Sequence, residues 1–129
     1  MRFIIETIPH SEQTYETVGN YWMDEDGTFR IVVSEMENMD FEFAVAIHEM
    51  FEQYLCYRRG ISEEAITEFD VRYEADRPKG DESEPGDDQN APYQNEHCLA
   101  TAIERMAIAV LGKKWRDYEE VVEALSYKK

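Results

Sequence analysis

The chain has 129 residues, 43% of them hydrophobic, and a formal net charge of −16. That length supports one domain, residues 1–129, with one core, and the apolar fraction excludes a compositionally disordered chain. The charge excludes direct binding to a nucleic-acid backbone, where affinity comes from Lys and Arg neutralising phosphates, and it repels anionic membranes.

No apolar run is long enough to span a bilayer. The opening "MRFIIETIPH" lacks the long apolar region and small-residue cleavage site of a signal peptide. With no secretion signal, Cys56 and Cys98 are expected as reduced thiols of a cytoplasmic protein, packed like small apolar residues.

Residues 2–8, "RFIIETI", read as a first strand, and a turn-rich connection follows, with room for a short strand near Tyr15. Residues 21–23 and 28–34 read as a hairpin, because Asp26-Gly27 offers left-handed backbone between aromatic and β-branched segments. Asn38 or Asp40 caps a first long helix whose apolar residues at 41, 44, 45, 47, 51, 54 and 55 keep a helical period. Gly60 ends it. Ser62 opens a short helical or turn segment, "SEEAITEFD". Residues 74–90 hold seven acids, two bases, two Pro and two Gly, and read as an acidic loop or flap. "YQNEHCLATAIERMAIAVLG" is a second long helix, with Leu99, Ala102, Ile103, Met106 and Val110 as its apolar stripe. "WRDYEEVVEAL" is a third. The predicted fold class is α+β: a small antiparallel sheet, from the N-terminal strand and the hairpin, packed against two long helices and a C-terminal helix.

The chemistry concentrates in "AVAIHEMFEQYL", residues 44–55. His48 and Glu52 are four residues apart, so they share one helix face. That is the spacing at which the two histidines of H-E-x-x-H grip zinc, and a carboxylate is also a zinc ligand. Glu49 lies about 100° around the helix, where such a motif places the base that takes a proton from water. The chain has three histidines, at 10, 48 and 97. His97 opens the second long helix, and Glu104 follows two turns later on the same face. His48, Glu52 and His97 therefore form the candidate metal set, with zinc as the default ion. Glu104 is a candidate to hold a ligand histidine or to bind metal itself. Cys98 competes with His97 but points about 100° away on the helix. His10 follows Pro9 in a turn-like segment and has no helical partner. Asp87 and Asp88 are expected to be solvated.

The strand "FRIVVS" followed by "AVAIHEMFEQYL" resembles the active-site half of zincin-type metallopeptidases, in an H-E-x-x-E variant. The resemblance covers about 30 residues and implies a zincin-like core, His48 as ligand, Glu49 as water-activating base and Glu52 in place of the second histidine. In that family an edge strand above the helix pairs with extended substrate. A carboxylate in place of histidine weakens the Lewis acidity of the metal and favours a wider choice of ions. The pattern "PHSEQTYETVGNYW", "DGTFRIVVS", "AIHEMFEQYLCYRRGIS", "EPGDDQNAPY" is also similar to small, uncharacterised phage and prophage proteins, which bring no known function.

Two functional expectations follow. One is a metal-dependent hydrolase of peptide or amide bonds, with the acidic loop as a flap over the site and a peptide or protein as substrate. The other is a non-enzymatic acidic interaction protein, a host-factor inhibitor or DNA mimic, whose metal site is structural or absent. Oligomeric state is not legible, since the helix faces close a dimer as readily as a core.

Overall fold

The computed structural model describes residues 1–81 and 83–126. Three strands, β1 (Phe3–Ile8), β2 (Gly19–Met23) and β3 (Phe29–Ser34), are followed by four helices: α1 (Met39–Arg59), α2 (Glu63–Asp76), α3 (Gln94–Val110) and α4 (Trp115–Ser126). The fold is α+β.

The sheet has the order β1-β3-β2. β2 and β3 are an antiparallel hairpin, as the turn chemistry predicts: Asp24 accepts from the Gly27 N–H at 2.9 Å, and Gly27 takes φ +83°. β1 pairs with β3 in parallel, Phe3 opposite Phe29. The sheet is therefore mixed, which corrects the antiparallel expectation. The reason lies in β3, whose Phe29, Ile31 and Val33 are all buried. The most apolar strand takes the centre, and with β1 parallel to it the end of β1 and the start of β2 lie at the same end of the sheet, opposite Ser34 and Val33, so residues 9–18 need not run its length. No strand forms at Tyr15.

Asn38 caps α1, its side chain accepting from the Phe41 N–H at 3.2 Å, and Gly60 closes it in the left-handed conformation. The helix lies on the sheet through Phe41, Ala44 and Val45, which join Ile31, Val33, Met36, Ile108 and Tyr118 in the main core. A second cluster, Cys56, Ala91 and Tyr93, packs against Ile61, Ile66 and Phe69 of the α2 side.

Two sequence expectations need correction. The segment after Ser62 is a 14-residue helix that absorbs Glu74, Ala75 and Asp76 from the predicted 74–90 loop. Ser62 caps it, accepting from the Ala65 N–H at 3.1 Å, and two of its first-turn residues are acidic, which complements the helix dipole. Residue 82 of the loop lies outside the described residues. The predicted apolar stripe of α3 is largely on the wrong face: Met106 and Val110 are 65% and 84% exposed. The buried face carries Glu96, His97, Ala100 and Ile108 instead. Its core-facing side is partly polar, so hydrophobic periodicity points away from it. No helix among the described residues is long and apolar enough to cross a membrane.

Candidate metal centre

α1 and α3 pack side by side. Arg59, at the end of α1, ion-pairs with the buried Glu96 at 3.1 Å and donates to the Pro92 carbonyl at 2.7 Å, which ties the start of α3 to the end of α1. The helices then run antiparallel. His48 of α1 meets Glu104 of α3, and one turn on, Glu52 of α1 meets His97 of α3. Each helix supplies one histidine and one carboxylate to its neighbour.

The distances are short. Nδ1 of His48 donates to Oε1 of Glu104 at 2.7 Å, and Nδ1 of His97 donates to Oε1 of Glu52 at 2.8 Å. A carboxylate only accepts, so each Nδ1 carries the hydrogen in these contacts. Nε2 of His48 lies 3.4 Å from the same Glu52 oxygen. The two imidazole rings sit 4.8 Å apart at 69°. Ligand atoms of His48, Glu52 and His97 all fall within 4.8 Å of one another, and the three residues are 8%, 5% and 6% exposed. This buried group could hold a metal ion. The second oxygen of Glu104 accepts from the Tyr118 hydroxyl of α4, so Glu104 is itself held in place.

Glu49 points toward β2. A Cβ built on Gly19 would lie 2.8 Å from Cγ and Oε1 of Glu49, so β2 can approach this carboxylate only because residue 19 is glycine. Burial raises the Glu49 pKa to about 8, against the lowering pull of His48. Burial acts to raise Glu52 too, but the contacts with His48 and His97 outweigh it and bring its pKa down. For both histidines burial opposes the charged form, yet carboxylates win. Glu104 and Glu52 raise His48 well above its ordinary value, and Glu52 and Glu84 raise His97 to about 10. Even with both rings charged and Glu49 neutral, the carboxylates of Glu52, Glu84, Asp87 and Glu104 outnumber them, so the site attracts cations.

The acidic loop does reach the site. A 3-10 turn at Pro85–Asp87 lies on the His97 ring, with Glu84 Oε2 and Asp87 Oδ1 at 3.1 and 3.3 Å from Nε2. Asp87 is therefore a neighbour of the site, not a purely solvated acid. Neither Glu84, Asp87 nor Tyr118 stands out in the sequence. The one signal was a glycine between acids just before the helix that carries His97. His10 is elsewhere, its Nδ1 2.8 Å from Ser34 Oγ. Cys98 is exposed and Cys56 is buried.

The structure also places the strand of the zincin-like pattern. "FRIVVS" is β3, the central strand, paired on both sides. The edge strand beside α1 is β2, and two of its outward N–H groups are already taken: Tyr21 donates to Asn20 Oδ1 at 2.8 Å and Met23 to Glu63 Oε1 at 2.7 Å. A peptide pairing along β2 would have to displace these side chains.

Comparisons of the chain with protein-family models, with curated proteins and with solved structures give no match. The functional reading therefore rests on the residues themselves.

Proposed function

We propose that the chain is a metal-dependent hydrolase of peptide or amide bonds, with zinc as its ion. The observation that carries this is the convergence of His48, Glu52 and His97 in one buried group, within whose electric field the Glu49 carboxyl lies on the β2 side. When bound, the ion would supply Lewis acidity and lower the pKa of a water molecule. The chain's own residues do the rest. Glu104 holds His48 by Nδ1, leaving Nε2 to face the Glu52 side. Tyr118 fixes Glu104. In this reading Glu49 is the base: a cation held by His48, Glu52 and His97 would favour its ionised form, which could then accept and return a proton. The loop that carries Glu84 and Asp87 covers the outer side of His97. Access for a substrate requires that cover to lift.

A second reading is a structural metal in an acidic interaction protein. The burial of all three ligands favours it, since structural sites are closed.

Glu49→Gln separates the two. The hydrolase reading expects retained zinc and a loss of roughly 10²–10⁴ in cleavage of a responsive peptide library. Glu52→Gln should instead lose the tightly held ion, because a neutral amide is a poor zinc ligand. Loss of zinc with Glu49→Gln would make that residue a ligand and remove the base from the scheme. A wild type that holds zinc but cleaves nothing, and unfolds on chelation, would favour the structural reading.

A further inference from the structure

His97 has two faces with different neighbours. Its Nδ1 gives its hydrogen to Glu52 at 2.8 Å. The metal-free ring is held charged by its carboxylates, but binding an ion takes the neutral ring, and with the Nδ1 hydrogen on Glu52 its lone pair is then on Nε2. That atom is sealed from solvent and makes no hydrogen bond of proper geometry. Buried polar atoms are seldom left that way.

Nε2 is aimed between two acids. Glu84 Oε2 is 3.1 Å away and Asp87 Oδ1 is 3.3 Å away. Ligand atoms held about 2.0–2.1 Å from a tetrahedral zinc are separated by roughly 3.3 Å. The two contacts to Nε2 have that spacing, and ligand atoms of all three residues lie within 4.8 Å of one another. Both acidic side chains are exposed, at 60% and 58%, while the His97 side chain is 8% exposed. Shape fixes the turn in place: a Cβ on Gly86 would fall 2.4 Å from Cγ of His97. Only glycine lets the turn lie on the ring with an acid on either side of Nε2.

We propose that Glu84, Asp87 and Nε2 of His97 form a second, outer site for a divalent cation of the zinc class, which captures the ion from solvent and passes it to His48 and Glu52. A neutral imidazole has one lone pair, so the outer site on Nε2 and the inner site on Nδ1 fill in turn, not together. On transfer the Nδ1 proton is lost to solvent and Nε2 takes one up. The freed Glu84 and Asp87 carboxylates then accept that N–H. The outer site rests on the buried-metal reading for the ion's destination alone.

The test is equilibrium and stopped-flow titration of the full chain with zinc. Glu84→Gln/Asp87→Asn changes two exposed loop side chains, and circular dichroism checks that the fold is kept. Expected results are one ion per chain with near wild-type affinity, but loading slower by about tenfold or more, as acidic funnels raise on-rates by that order. Glu52→Gln should keep a weaker ion, and adding the two loop changes should abolish it. Loading at the wild-type rate, or a triple variant that binds like Glu52→Gln alone, overturns the outer site. If Glu52→Gln binds like wild type and the loop variant binds nothing, the ion resides outside, and the buried-site reading fails while the outer site stands. A wild type that takes up no zinc overturns both.

Discussion

Replacing Glu104 by Gln tests whether α3 tunes the metal through His48. Glu104 accepts two hydrogen bonds, one oxygen from His48 Nδ1 and the other from the Tyr118 hydroxyl. Gln has a single acceptor oxygen, so one donor must face an NH₂ group. In this largely buried position that mismatch costs about 1–3 kcal/mol of stability. The metal effect is separate. Removing the carboxylate behind a ligand histidine usually lowers metal affinity 10–100-fold, or about 1.4–2.8 kcal/mol. Tyr118→Phe removes the rival donor, so the double variant Glu104→Gln/Tyr118→Phe should recover part of the lost stability but not the lost affinity. Zinc affinity is read by competition with a chromophoric chelator, and stability by thermal melting of the metal-free chain. Unchanged zinc affinity in Glu104→Gln, with only the melting temperature lowered, would show that Glu104 is a packing group and that the histidine it holds is not a ligand.

The metal-free chain should lose stability as pH rises. His48 and His97 are raised by Glu104, Glu52 and Glu84, so their charged forms stabilise the fold fully below about 6.5, and that contribution is lost as pH climbs toward the His97 value of about 10. Glu49, raised by burial to about 8, adds to the fall up to about that pH, because the unfolded carboxyl is already ionised while the native one still holds its proton. Melting curves from pH 6 to 10 should fall without zinc and flatten with it; a rise without zinc would contradict the charge assignment. Asp70 offers an independent check. Burial raises its pKa to about 6, although the Tyr93 hydroxyl donates to it and pulls the other way. A raised carboxylate destabilises once ionised, by up to about 3 kcal/mol here and nearer 1 kcal/mol after allowing for its partial exposure to water. Asp70→Asn keeps an acceptor for Tyr93, and should stabilise at pH 7 and have little effect near pH 4. Equal effects at both pH values would remove ionisation as the cause.

The local signals in the sequence proved readable where one residue type has one structural job. Asn38 and Gly60 mark the ends of α1, Asp26-Gly27 marks the hairpin, and the spacing of His48 with Glu52 and of His97 with Glu104 puts each pair on one face. Features decided by tertiary packing were not readable. Whether β1 runs with or against β3 is settled by the path of residues 9–18 back to β2, and strand alternation does not encode that. The core face of α3 was misassigned because it is built from Glu96, His97 and Ala100, whereas Met106 and Val110 lie outside. Glu84 and Asp87 looked like members of a solvated acidic run. Only the packing of Gly86 on the His97 ring brings them to Nε2.

The central claim is that His48, Glu52 and His97 hold an ion. The most direct test is the zinc content of untagged protein purified from metal-replete medium and dialysed, for the wild type and for His48→Ala. The account predicts stoichiometric zinc in the wild type and none tightly held in the variant. A wild type without stoichiometric metal, or a His48→Ala protein with the same content, would contradict it.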